Sequence, residues 1–219
     1  MGLVRIEIIF DTICPWCYVG KRRLERALAA RPNIQTEVIW RPFLLNPDMG
    51  DEGVTRAAYL ERKFGSRPRV ERMLAAVTAA GAAEGLRFDF DRITRTPSTV
   101  RSHRLVAFAA ESDLQWPVVE AIFAAYFFDG ANIGDPEVLL RIGTGFGLPR
   151  DALAAALDPL PAHVAPADNT RAHRLGVNGV PCYIFDGAYA VAGAQEPDVL
   201  VRLLDLAHEG QLDRALVSA

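Results

Sequence analysis

Cys14-Pro15-Trp16-Cys17 stands where one periodicity gives way to another, and no other feature constrains the fold as strongly. Before it, Val4, Ile6, Ile8 and Phe10 alternate with Arg5 and Glu7, the two-residue period of a strand, and apolar Ile9 predicts burial on both faces. After it, Leu24, Ala27 and Leu28 recur at helical spacing until Pro32 stops the pattern. Thr36 to Trp40 reads as a second strand, rich in β-branched and aromatic residues. A strand–helix–strand opening predicts parallel strands joined by a crossover helix. The two cysteines then bracket the first turn of that helix.

From about Gly53 to Leu157 the pattern is helical, with no convincing strand. Val70, Met73, Leu74 and Val77 form one apolar stripe, with Ser66 and Pro68 suited to its start. Val119, Ile122, Phe123 and Tyr126 form another, entered through Pro117. Leu139, Ile142 and Phe146 follow Asp135-Pro136, a cap and first helical position, and Leu153, Ala156 and Leu157 form a short last stripe. Strand signals return at Tyr183-Ile184-Phe185 and Tyr189-Ala190-Val191 around Asp186-Gly187, a hairpin signal. A final helix from Pro197 carries Leu200, Leu203, Leu204 and Ala207 on one face. The order is βαβ, many helices, then ββα.

A net formal charge of −3 gives no electrostatic reason to expect a nucleic-acid partner. Lys21, Arg22, Arg23 and Arg26 recur at surface-helix spacing and read as a solvated face. Val4–Phe10 is too short and too charged for a signal-peptide core, and no apolar stretch approaches the roughly 20 residues that cross a bilayer. The expected setting is cytoplasmic, without membrane association, where a Cys-x-x-Cys is more often a redox or metal device than a permanent staple.

Thiol–disulfide exchange needs a thiolate to attack and a second thiol close enough to release the mixed disulfide. At a helix start the first cysteine of the pair sits near the cap and the second one turn in, with Pro15 at a position where its missing N–H costs nothing. The free N–H groups and positive end of such a helix lower a thiol pKa from about 8.5 to roughly 3.5–7.5. Cys14 is thus the expected nucleophile and Cys17 the resolving thiol. Cys14, Cys17, Cys182 and a histidine could in principle ligate zinc, but zinc pairs favour tight knuckles, and no second Cys-x-x-Cys or close His pair exists. No metal is expected.

Phe10-Asp11-Thr12-Ile13-Cys14-Pro15-Trp16-Cys17-Tyr18-Val19-Gly20 resembles the active-site segment of the DsbA superfamily, especially its cytosolic FrnE-like branch. Ser102-His103-Arg104-Leu105, Gly176-Val177-Asn178-Gly179-Val180-Pro181 and Val191-Ala192-Gly193-Ala194-Gln195 resemble that branch in the same order. The resemblance implies an α/β thioredoxin-like fold with a large all-helical insertion: a core of residues 1–48 and 162–219, and an insertion of residues 49–161. It implies a cis Val180-Pro181 peptide facing the cysteines, with the backbone of Val180 pairing with extended substrate and Pro15, Trp16 and Pro181 beside it. The implied partner is a thiol or disulfide, protein or glutathione-linked, with glutathione an admissible co-substrate and no cofactor required. Monomer and homodimer are both compatible with the sequence.

The same scaffold serves glutathione-dependent isomerases and transferases of the hydroxychromene-carboxylate isomerase and kappa-class type. These typically carry Ser where this chain has Cys14, and Cys17 argues against them. Cys182, directly after Pro181, is either a third redox thiol or a small core hydrophobe, the latter being favoured. Asp11 could tune the cysteines or relay a proton, although strand-end polar residues usually form turns. His103 shares a helix face with Val100 and Ala107, which favours a satisfied interface histidine over a catalytic one. Pro161 to Asn169 is proline-broken where the family resemblance implies a longer helix.

Overall fold

The computed structural model describes residues 3–158, 172, 174 and 176–217. β1 (Val4–Phe10) leads through a short turn into α1 (Pro15–Ala29), and β2 (Thr36–Pro42) returns parallel to β1, registered from Val4 opposite Thr36 to Phe10 opposite Pro42. β5 (Cys182–Phe185) lies antiparallel on the other side of β1, and β6 (Tyr189–Ala192) pairs antiparallel with β5. The four strands run in the order β2-β1-β5-β6. β1 is central, so both its faces are covered. Val4, Ile6, Ile8 and Phe10 enter the main core, whereas Ile9 joins a smaller cluster with Phe43, Ala172, Val177 and Cys182 on the opposite face.

Between β2 and β5 the chain builds α2 (Arg56–Phe64), α3 (Arg67–Ala83), α4 (Val100–Ala109), α5 (Gln115–Phe127), α6 (Pro136–Gly145) and α7 (Arg150–Leu157). Of the expected apolar stripes, Val119, Ile122, Phe123 and Tyr126 of α5 and Leu153 and Leu157 of α7 are buried in the main core, whereas on α3 only Val77 is buried and Val70, Met73 and Leu74 are half-buried. Asp135 caps α6 by accepting from the N–H of Glu137 at 2.9 Å, with Pro136 in its first turn. α8 (Pro197–Val217) closes the fold, with Leu200, Leu204 and Ala207 buried. At the β5–β6 turn Asp186 and Gly187 both have positive φ, 51° and 68°, as the type I′ geometry requires.

Four expectations are corrected. The helical block does contain strand: β3 (Val54–Thr55) and β4 (Arg95–Thr96) pair antiparallel, too short for any periodicity to reveal. α5 begins at Gln115, two residues before Pro117, because proline is tolerated anywhere in a first turn. Phe146 is 38% exposed at the C-cap of α6, beyond the helical stripe it was expected to extend. Finally, Lys21 is not on a solvated face: its side chain is 1% exposed, held by Glu25 at 2.6 Å and by Glu120 of α5 at 2.7 Å, with Nζ 4.4 Å from the Trp116 ring centre. Arg23 is likewise largely covered, pairing with Glu84 and Glu196. The expected boundary at 161–162 and the segment Pro161–Asn169 lie outside the described residues.

Candidate active site

The end of β1 delivers a tight turn and then a helix, and backbone hydrogen bonds fix both. The N–H of Cys14 donates to the carbonyl of Asp11 at 3.0 Å, and the N–H of Cys17 to the carbonyl of Cys14 at 3.0 Å. Cys14 is the N-cap of α1 in extended conformation and Pro15 follows in its first turn, so the cysteine sits at the end of the helix where N–H groups lack intrahelical partners. Both cysteines are free thiols, Cys14 6% and Cys17 1% exposed.

The loop before β5 completes the site. Val180-Pro181 is a cis peptide, as the family resemblance implies, and the thiol of Cys14 lies 3.7 Å from the carbonyl oxygen of Val180. Val180 and Trp16 are half-buried and both pack against the main core. The structure therefore brings Cys14, Pro15, Trp16, Cys17, Val180 and Pro181 to the junction of α1 with the loop entering β5.

Burial pushes the Cys17 thiol well above its ordinary pKa, and the hydrogen bond and charge of neighbouring Cys14 push it further. The backbone of Asp11 opposes this. Cys17 is thus held as a protonated thiol beside Cys14.

Asp11 is fully buried and is a turn former as well as a neighbour of the cysteines. Its carboxylate accepts from the N–H of Ile13 at 3.4 Å and from the N–H of Leu45 at 2.7 Å, tying the active turn to the segment after β2. His103 reaches across from α4: its Nε2 lies 3.5 Å from Asp11 Oδ1, and its ring meets Phe10 edge-on at 5.0 Å. It is an interface residue, as expected, but not a satisfied one. Neither ring nitrogen has a hydrogen-bond partner among the described residues. Cys182 is not brought to the pair; it points into the opposite cluster with Ile9 and Phe43, and burial raises its pKa. Among the described residues no group of three or more His, Cys, Asp or Glu side chains could hold a metal.

Two features escape sequence reasoning. Thr12 and Ser102 share a 2.7 Å hydroxyl contact that ties the active turn to α4, and Ser102 also donates to the carbonyl of Thr99. Tyr183 of β5 places its hydroxyl against Gly20 of α1, so closely that a Cβ there would lie 2.1 Å from the oxygen. The only trace of the second in the sequence is a glycine three residues after Cys17, inside a helix where glycine is disfavoured.

No helix among the described residues is long and apolar enough to cross a membrane. The chain matches the model of a DSBA-like thioredoxin domain over residues 5–205. It is similar to the "probable DsbA oxidoreductase" of Streptomyces coelicolor, with 36% identity, 94% of this chain and 90% of that one covered, and a TM-score of 0.83. It shares its fold with the cytosolic disulfide reductase DsbM of Pseudomonas aeruginosa in a structure with GSH, at 19% identity, 94% and 99% coverage and a TM-score of 0.62. A 2-hydroxychromene-2-carboxylate isomerase has the same fold at 16% identity, with 98% of each chain covered and a TM-score of 0.67. The chain therefore belongs to the DsbA-like family of thioredoxin-fold oxidoreductases, as its Cys14–Cys17 turn and cis Val180-Pro181 peptide already indicated.

Proposed function

We propose that this chain catalyses dithiol–disulfide exchange, with Cys14 as nucleophile and Cys17 as resolving thiol. One observation carries the assignment: Cys14 caps α1 with its sulfur 3.7 Å from the Val180 carbonyl, while Cys17 lies behind it, more deeply buried and held protonated. The thiolate of Cys14 attacks a substrate disulfide, forms a mixed disulfide and expels one substrate thiolate. Cys17 then gives up its proton, attacks the Cys14 sulfur and releases the second substrate thiolate, leaving a Cys14–Cys17 disulfide. Substrate enters along Val180, whose backbone offers an edge for an extended chain, with Pro15, Trp16 and Pro181 forming the rim. The substrate is a protein or glutathione-linked thiol or disulfide, the setting cytoplasmic, and the reaction requires no metal or organic cofactor. The GSH in the DsbM structure supports glutathione as co-substrate.

Cys14→Ser should abolish exchange with a glutathione buffer, whereas Cys17→Ala should accumulate a mixed disulfide of defined mass on Cys14. Near-normal exchange by Cys14→Ser would overturn the assignment. The shared fold of the 2-hydroxychromene-2-carboxylate isomerase frames the rival reading, a glutathione-dependent isomerase, which predicts turnover that survives loss of Cys17.

A further inference from the structure

Tyr183 is a buried phenol whose hydroxyl has no hydrogen-bond partner among the described residues. An unpaired buried donor is unfavourable and normally has a cause. Its ring needs no hydroxyl to fill the core, because phenylalanine has the same shape without the cost. The hydroxyl is instead accommodated at the expense of α1. Gly20 faces it, and any side chain there would collide with the Tyr183 oxygen at 2.1 Å and crowd the Pro181 ring at 3.1 Å. Gly20 lies three residues after Cys17, so the two project from one face of α1, one turn apart. Cys17, Gly20 and Tyr183 are all buried in this place.

We propose that Tyr183 is a further catalytic residue of the exchange reaction, its hydroxyl donating a hydrogen bond to the buried Cys17 thiolate during resolution. The inference rests on the assignment of Cys17 as resolving thiol. In the resting dithiol the Cys17 thiol is protonated and the phenol stands unpaired. In the mixed disulfide Cys14 is bonded to substrate sulfur, and Cys17 must carry negative charge where water does not reach. Its proton passes to the substrate thiolate expelled when the mixed disulfide formed; the Cys17 thiolate then attacks the Cys14 sulfur, the Cys14–substrate bond breaks, and its electron pair goes to the second substrate sulfur, which leaves as a thiolate. The Tyr183 O–H, set against Gly20 one turn along α1 from Cys17, is the neutral donor that β5 brings to this face. Tyr183 acts as donor and never as base, because burial and then the charges of Cys17 and Cys14 push its own ionisation well above the ordinary tyrosine value.

Tyr183→Phe tests this while preserving the ring. Single-turnover mixing of the reduced full-length protein with oxidised glutathione separates formation of the mixed disulfide from its resolution. Tyr183→Phe should leave formation unchanged and slow resolution about 10- to 100-fold, the effect of losing a hydrogen bond to a charged group. The pH dependence of resolution should move to higher pH, and the reduced variant should be as stable to urea as wild type or more so. Unchanged resolution with an unchanged pH profile would overturn the inference, as would equal slowing of both steps, the mark of a merely structural role. If wild type itself neither forms nor resolves a mixed disulfide, the failure belongs to the proposed function and not to Tyr183. Gly20→Ala provides a second variant. It should slow resolution by displacing the hydroxyl, and combining it with Tyr183→Phe should restore folding stability but not rate.

Discussion

Cys17, Tyr126 and Tyr183 share one electrostatic property: each binds its proton more tightly in the folded chain than in the unfolded one. Burial is the leading cause for all three, lifting Tyr126 to about 12 and the other two well above their ordinary values. A raised folded-state pKa contributes stability that is complete below the unfolded value and lost as pH rises past it. The unfolded values are about 8.5 for a thiol and about 10 for a phenol. The urea midpoint of the reduced protein should therefore fall as pH rises from about 8 to about 11. Oxidised protein, in which Cys17 cannot titrate but buried Cys182 and the two phenols still can, should show a shallower fall over the same range. A midpoint that is level in both forms would contradict the burial of these groups. Also at this scale, Cys182→Ala should retain most exchange activity, since its side chain joins Ile9 and Phe43 away from the pair. A severe loss in a glutathione assay would bring that thiol into the cycle.

At the scale of elements, α1 is fastened to α5 by charge as well as by apolar contact. Lys21 bridges Glu25 and Glu120, Arg22 contacts the same two carboxylates, and Tyr18 donates to Glu120 at 2.5 Å. Although burial opposes it, hydrogen bonds from Lys21 and Arg22 hold Glu25 below its ordinary pKa. Either Glu25→Ala or Glu120→Ala leaves Lys21 one carboxylate and should cost about 1–2 kcal/mol; both together strand a buried ammonium and should cost about 3–5 kcal/mol. Urea unfolding of the four proteins measures the coupling, and simple additivity would show that Lys21 finds water. This network was not legible in the sequence, because the spacing of Lys21, Arg22, Arg23 and Arg26 describes one helix and cannot know that α5 brings Glu120 to it. What the sequence does encode is local. The alternation of β1, the Cys14–Pro15 cap, the Asp135 cap and the Asp186-Gly187 turn are each set by neighbours in the chain. The cis Val180-Pro181 peptide came from family resemblance, whereas the meetings of Thr12 with Ser102 and Tyr183 with Gly20 are products of tertiary packing across dozens of residues.

For the whole molecule, one apolar cluster runs through β1, α1, α4, α5, α6, α7, β5 and α8. The helical insertion and the thioredoxin-like sheet therefore share a core, and neither can shed the other without exposing Phe10, Tyr18, Phe123 and Phe127 to water. Trp16 and Trp40 sit on the sheet side and Trp116 on the insertion, so tryptophan fluorescence samples both. Fluorescence and far-ultraviolet circular dichroism should follow one coincident urea transition. Two resolved transitions would mean that the insertion folds on its own.

The sheet also separates sulfur from sulfur. Three thiols in one chain could join in three ways, and an indiscriminate oxidant would ordinarily produce a mixture. Here Cys14 and Cys17 belong to one side of a single layer of strands and Cys182 to the other, leaving a lone covalent loop that can close. The proposed exchange cycle can then close and reopen the Cys14–Cys17 pair without drawing Cys182 into it.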